Sequence, residues 1–290
     1  MRIGLHALGI GNGAVASVIQ AVALGAERAG FATLWAGEHV VMVDRPRSRY
    51  PYADDGRIAV SPDADWLDPF STLTYAAAVT SGIRLGTGVL LLAQHQPVVV
   101  AKQAASLDSL SGGRLALGVG IGWSSEEFAA LGVPFAGRGR RLEQYVAAMR
   151  TLWREDVATF EGDLVRFDSV RSYPKPVRDR TIPVILGGNS AGALDRVARI
   201  GDGWYGFNLG RDEVRERLAV LTSACRRLDR PREDIDVAVS LRDGDPEDLG
   251  ELTDIGVDEL VIVEPPPADP NDASAWVDEL ARRWGCTRPD

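Results

Sequence analysis

Three histidines, His6, His39 and His95, are the first candidates for chemistry in this chain. Imidazole is the side chain whose ordinary proton affinity lies closest to neutral pH. Each falls at or just beyond an apolar run that reads as a strand: residues 2–8, 31–36 and 83–92. Parallel strands ending together would gather all three at one mouth. A single histidine at such a place is usually a packed structural group, but three are less easily dismissed. His39 leads, because it follows Glu38 and precedes an irregular segment, residues 42–66, rich in Pro, Asp, Arg and Tyr. Long insertions at strand ends are commonly functional. A three-histidine metal site finds no HxH pair and no matching carboxylate spacing, so no metal is expected. The carboxylates Glu38, Glu126, Asp202 and Glu264 also read as strand-end groups. A glycosidase would need two of them across one bond, and only analogy of fold would pair them. A Ser-His-Asp hydrolase lacks its GxSxG turn.

The clearest anion signal is the turn Gly187-Gly188-Asn189-Ser190, which follows a strand and leads straight into a helix. Glycines let the backbone approach a phosphate, Asn189 or Ser190 can cap the helix, and the amides of the first turn point at the ligand. An ordinary capped turn is the plainer alternative. A second glycine pattern lies in residues 114–122. Leu115, Leu117, Val119 and Ile121 share one strand face, while Ala116, Gly118, Gly120 and Gly122 share the other. That bare face suits either tight packing inside a barrel or a flat ligand. GVGIG is a poor dinucleotide fingerprint, since the last glycine of GxGxxG is missing. Trp35, Trp123, Trp204 and Tyr205 read as neighbours of the same mouth, as core or as walls for a flat heterocycle. Arg138, Arg140 and Arg141 read as a solvated face, with an anionic cofactor tail as the less favoured partner.

Composition bounds the partners. The chain has 290 residues, 45% hydrophobic and 25% charged, with net charge −9. Such a charge does not attract nucleic acid or an anionic membrane surface, and neither partner is expected. Two cysteines, Cys225 and Cys286, make a disulfide framework or zinc cluster improbable. No signal peptide or bilayer-length apolar run is visible, which points to a cytoplasmic protein.

The elements that must position these residues alternate along the chain. Strands are expected at 2–8, 31–36, 83–92, 114–121, 182–186, 203–207, 235–240 and 259–263. Helices are expected at 15–29, 68–81, 98–110, 142–153, 191–200, 211–228, near 246–255 and at 273–284. Ser124 and Glu127 have capping-box spacing and open a further short helix. Residues 155–181 carry short β-like pieces and stand outside the repeat. Eight strand–helix pairs imply a parallel sheet closed into a (β/α)₈ TIM barrel, one domain over residues 1–290, with insertions at the C-terminal mouth of the strands. An open doubly wound sheet is the alternative.

The run LGTGVLLLAQHQPVVVAKQAASLDSLSGGRLALGVGIGWSSEEFAALGVPF, with RLEQYVAAMRTLW, SYPKPV and LGGNSAGALDRVARIGDGWY, resembles the luciferase-like monooxygenase family. The pattern is most similar to its actinobacterial branch that uses the deazaflavin coenzyme F420, over roughly residues 1–210. The resemblance implies a (β/α)₈ barrel with cofactor at the C-terminal mouth, and commonly a homodimer. It places a non-prolyl cis peptide at Gly88-Val89, with Val89 behind the ring system. It implies that Gly187, Gly188, Asn189 and Ser190 hold the cofactor phosphate, and that Gly120, Gly122 and Trp123 flank the rings. His39 matches the histidine often placed beside the reacting ring. Some relatives carry a catalytic glutamate where this chain has Trp123, so that acid–base scheme does not transfer. The expected activity is hydride transfer between F420 and a small organic substrate. An FMN-dependent monooxygenase and a non-catalytic flavin- or deazaflavin-binding protein are the alternatives.

Overall fold

The computed structural model describes residues 1–287. Strands β1 (Arg2–Leu8), β2 (Thr33–Ala36), β3 (Arg84–Thr87) and β4 (Leu115–Val119) alternate with helices α1 (Ala16–Ala29), α2 (Pro69–Val79) and α3 (Pro97–Ser111). Helices α4 (Ser125–Ala130) and α5 (Arg138–Arg154) follow, then a hairpin of β5 (Ala158–Glu161) and β6 (Arg166–Val170). The second half contains β7 (Val184–Gly187), α6 (Ala191–Ile200), β8 (Gly203–Leu209), α7 (Arg211–Arg227), β9 (Asp236–Leu241), α8 (Asp248–Asp254), β10 (Glu259–Val263) and α9 (Pro270–Trp284). Eight strands pair in parallel in the ring β1-β10-β9-β8-β7-β4-β3-β2, and β1 closes on β10. The expected (β/α)₈ barrel is therefore the fold. The hairpin occupies the stretch read as standing outside the repeat.

Local chemistry sets the element ends. Asp68 accepts from the Ser71 amide at 2.7 Å and Pro69 opens α2, so the helix begins one residue inside the expected span. Gly112, at φ 70°, ends α3 in the left-handed conformation. The third strand is shorter than its apolar run. It stops at Thr87, the Gly88-Val89 peptide is cis, and Leu92–Gln94 forms a 3₁₀ turn. Glu38 captures the Leu91 amide at 2.5 Å and so ties this turn to the end of β2.

Large apolar residues fill the layer between strands and helices, with Leu117, Val119, Leu85 and Leu34 facing outward from the ring. A smaller cluster plugs the barrel: Trp35, Ala116, Ile185, Tyr205, Ala238 and Val261, with Val89 and Phe207 partly buried against it. Trp35 lies opposite Gly86 across β2 and β3. A side chain at Gly86 would begin 2.4 Å from the Trp35 ring, so only glycine admits the indole there. Trp35 stacks on Tyr205, ring centroids 5.0 Å apart, and its Nε1 donates to Glu259 at 2.8 Å. Glu259 and Thr33 begin their strands, so this bond closes the lower end. Within β4 itself, packing inside the barrel fills the bare face at Ala116 and Gly118. Trp35 and Thr87 crowd Gly118, and Val89 crowds Gly120.

Candidate active site

His39 stands just past β2, with its side chain 7% exposed. Its Nδ1 lies 3.0 Å from Oε2 of Glu127, a carboxylate that is fully buried. The amide of Val40 donates to Glu127 Oε1 at 2.8 Å, and Gln94 Nε2 donates to Oε2 at 3.1 Å. Burial by itself would raise this carboxyl. His39, Gln94 and the Val40 amide outweigh burial and hold it below the usual carboxylate range. The imidazole is boxed edge-on by Trp66 at 4.8 Å and Trp123 at 5.8 Å.

The other two histidines have partners of their own. His95 Nε2 lies 2.9 Å from Glu38 Oε1. Burial opposes a charge on His95, but Glu38, Asp68 and Glu127 together raise its imidazole above the ordinary value. His6 Nδ1 meets the Tyr205 hydroxyl at 3.1 Å, and burial lowers the imidazole to about 4, so it is neutral. Each histidine is thus closed on a different group. Among the described residues no cluster of three His, Cys, Asp or Glu side chains is placed to hold a metal ion.

The 42–66 insertion folds across the mouth. Tyr50 packs on Trp123 and on Tyr52, and Tyr52 packs on Phe207. The Tyr52 carbonyl accepts from Asn208 Nδ2 at 2.6 Å, and Trp66 Nε1 donates to the Gly37 carbonyl at 3.2 Å. Glu126 anchors the far side by accepting from the amides of Arg47 and Ser48. Hydrogen bonds from Ser48 and Arg47 hold its carboxyl down to about 2.

Across the mouth, Ser190 caps α6 by accepting from the Ala193 amide at 3.2 Å. The amides of Ala191 and Gly192 are then left without partners inside the helix, and Gly188 holds a φ of 117° that favours glycine. Asn189 does not cap. Its side chain exchanges two hydrogen bonds with the backbone of Phe207, bracing β7 against β8. A Cβ at Gly188 would lie 3.9 Å from the Tyr52 hydroxyl, and one at Gly187 3.1 Å from Val89. Arg196 reaches to within 4.0 Å of a Cβ position at Gly192. Arg138 donates to the Gly122 carbonyl at 3.2 Å, and burial with the charge of Arg196 lowers it.

The structure therefore brings Val89, Gly120 and Gly187 into contact, and sets His39 and Trp123 side by side. Beside Gly122 the space is taken by Phe128 and Gln94. Several expectations need correction. Asp202 precedes β8 at the opposite end of the barrel, where it binds Arg150 at 2.7 Å and the Val184 amide. Glu264 does stand at its strand end, just past β10, where it pairs with Arg283 at the surface. Of the two readings for the aromatics, core holds for Trp35, inside the barrel, and for Trp204, which packs in the outer layer with its Nε1 on the Gly188 carbonyl. Arg141 is buried against the carbonyls of Ala93 and Ala136, Arg138 covers the Phe135 ring, and only Arg140, paired with Asp163, matches a solvated face. Only half of the capping box forms, because the Glu127 carboxylate goes to His39 instead of back to Ser124.

A flat, anionic ligand suits these residues. His6 Nε2, Gln94 Oε1 and Trp123 Nε1 are buried polar atoms without a partner among the described residues, and interiors rarely leave such atoms unpaired. At the other end, the first turn of α6, entered from residues 187–190, offers the amides of Ala191 and Gly192.

The sequence pattern of the luciferase-like monooxygenase family matches residues 4–242. An uncharacterized protein of Mycobacterium tuberculosis is 35% identical over 266 residues, 90% of this chain and 92% of its own. The FMNH₂-dependent dimethylsulfone monooxygenase of Pseudomonas putida is 33% identical over 186 residues, 60% of this chain and 51% of its own. Among solved structures, the monooxygenase RslO1 of Streptomyces bottropensis superposes with a TM-score of 0.75 at 20% identity, covering 98% of each chain. The coenzyme F420 dependent tetrahydromethanopterin reductase of Methanopyrus kandleri gives 0.74 at 16%, covering 97% of each. At these identities the superpositions speak for the fold alone.

Proposed function

Because the chain belongs to the luciferase-like monooxygenase family, we propose that it is an oxidoreductase transferring a hydride between coenzyme F420 and a small organic substrate. It works as one barrel domain, in the cytoplasm and as a homodimer. The observation that carries this reading is the pairing, on one mouth, of a glycine turn that leads into the Ser190-capped start of α6 with an imidazole backed by a buried carboxylate.

Bound there, F420 supplies a two-electron hydride carrier that reacts poorly with oxygen. The chain's own residues supply the rest. Ser190, Gly188 and the first amides of α6 bind the phosphate, with Gly187 and Asn189 shaping the turn. Gly88-Val89 and Gly120 form the wall behind the rings, and Gly122 and Trp123 flank them. His39 holds or releases a proton at the substrate. Tyr50, Tyr52 and Trp66 exclude water from the mouth. Arg196, beside the first turn of α6, and Arg138, next to Arg196, favour F420 over FMN, since two neighbouring guanidinium groups suit the longer anionic tail of the deazaflavin. A second reading, an FMN-dependent monooxygenase, is favoured by the similarity to the dimethylsulfone enzyme.

Turnover without oxygen tests the choice. The proposal expects F420-linked oxidation or reduction to run anaerobically at the aerobic rate. A strict need for oxygen would promote the monooxygenase reading. Stoichiometric binding that never cycles with any donor or acceptor would favour a cofactor-binding protein.

A further inference from the structure

We infer that Glu127 is the positioning residue for His39: its carboxylate keeps the imidazole hydrogen on Nδ1, so that Nε2 is the atom left to exchange a proton at the mouth. This deepens the proposed function and rests on His39 being its proton-handling group.

An ionised carboxylate can only accept hydrogen bonds, so the 3.0 Å contact from His39 Nδ1 requires a hydrogen on that nitrogen. The carboxylate cannot turn to other work. The amides of Val40 and Val41 hold Oε1 at 2.8 and 3.4 Å, and Gln94 shares Oε2. Glu127 thus grips the backbone just after His39 and the ring of His39 at once. Its place is fixed in turn by Ser124, whose hydroxyl accepts from the Glu127 amide at 3.2 Å. Trp66 and Trp123 press the ring edge-on, which sets its plane but does not choose its tautomer. That choice falls to the hydrogen bond at the other nitrogen. The neighbouring pair has the opposite sense, since His95 meets Glu38 through Nε2. The two pairs are therefore not one packing habit repeated.

The ring nitrogens of His39 report this directly, without cofactor. The chain has three histidines, so nitrogen-15 resonances of the histidine-labelled full chain can be assigned with His39→Gln and His95→Gln. Spectra at alkaline pH, where imidazole is neutral, should show His39 with hydrogen on Nδ1 and none on Nε2. Glu127→Gln can offer either an oxygen or an NH₂ group to the ring. It should lower the ratio of the Nδ1–H to the Nε2–H form roughly tenfold or more. Hydrogen on Nε2 in the wild type, or an unchanged ratio in a folded Glu127→Gln protein, would overturn the inference. If Glu127→Gln does not fold, the wild-type spectrum still decides. Full turnover in His39→Gln would instead remove His39 from the chemistry, a failure of the functional reading that leaves the nitrogen result intact and distinguishable.

Discussion

Ser190→Asp separates folding from cofactor binding at a single atom. Ser190 Oγ caps α6 through the Ala193 amide at 3.2 Å. Aspartate caps helices about as well as serine. A negative charge at a helix N-terminus adds about 0.3–1 kcal/mol of stability. The folded chain should therefore lose no thermal stability. A phosphate seated on the same turn would meet that charge at close range. Two like charges about 4 Å apart repel by about 1 kcal/mol in bulk water and about 4 kcal/mol near a protein surface. Cofactor affinity should accordingly fall between about 5-fold and about 1000-fold, with the loss shrinking at high salt. Ser190→Asn keeps a capping side chain without charge and should bind nearly as the wild type does. The assay is a fluorescence or calorimetric titration of each variant beside its melting curve. Unchanged affinity in a folded Ser190→Asp protein would refute the placement of the phosphate on this turn.

His39→Ala should lower kcat by about 10²–10⁴-fold, the usual contribution of a general acid–base group, while cofactor still binds. Wild-type turnover at saturating cofactor would rule the role out. Glu27 supports the turn before β3 through the amides of Ser81, Gly82 and Ile83. Burial pushes its carboxyl up, but these bonds outweigh burial and leave it below its ordinary 4.5. Its stabilisation is therefore present above pH 4.5 and lost as pH falls through the lower folded value. Glu27→Gln should be the less stable protein at neutral pH, with the gap closing in acid. A gap that is constant with pH in urea titrations would contradict this. Light scattering should find a dimer at micromolar concentration, since α3 exposes Val99 and Leu110 at 54% and 71%. A monomer at every concentration would refute it.

The barrel was legible because strict alternation of apolar strands and amphipathic helices admits few closures. His39 was legible because it follows a strand and precedes the insertion. Glu127 was not, since Ser124 and Glu127 have the spacing of a cap and local spacing says nothing of a partner 88 residues away. The link from α6 to β8 is short, so Asp202 reads equally well in the sequence as a strand end or a strand beginning. By its place in β2, Trp35 reads as a neighbour of the mouth, whereas its opposition to Gly86 turns it into the barrel. Arg196 gives no signal in the sequence, because its approach to α5 and to Arg138 arises only when the two helices pack.

One titration tests the choice of coenzyme most directly. Purified apo-protein is titrated separately with F420 and with FMN under the same conditions, and the two dissociation constants are compared. Clear preference for F420 is expected, with Arg138→Ala and Arg196→Ala narrowing the difference. Clear preference for FMN would contradict it.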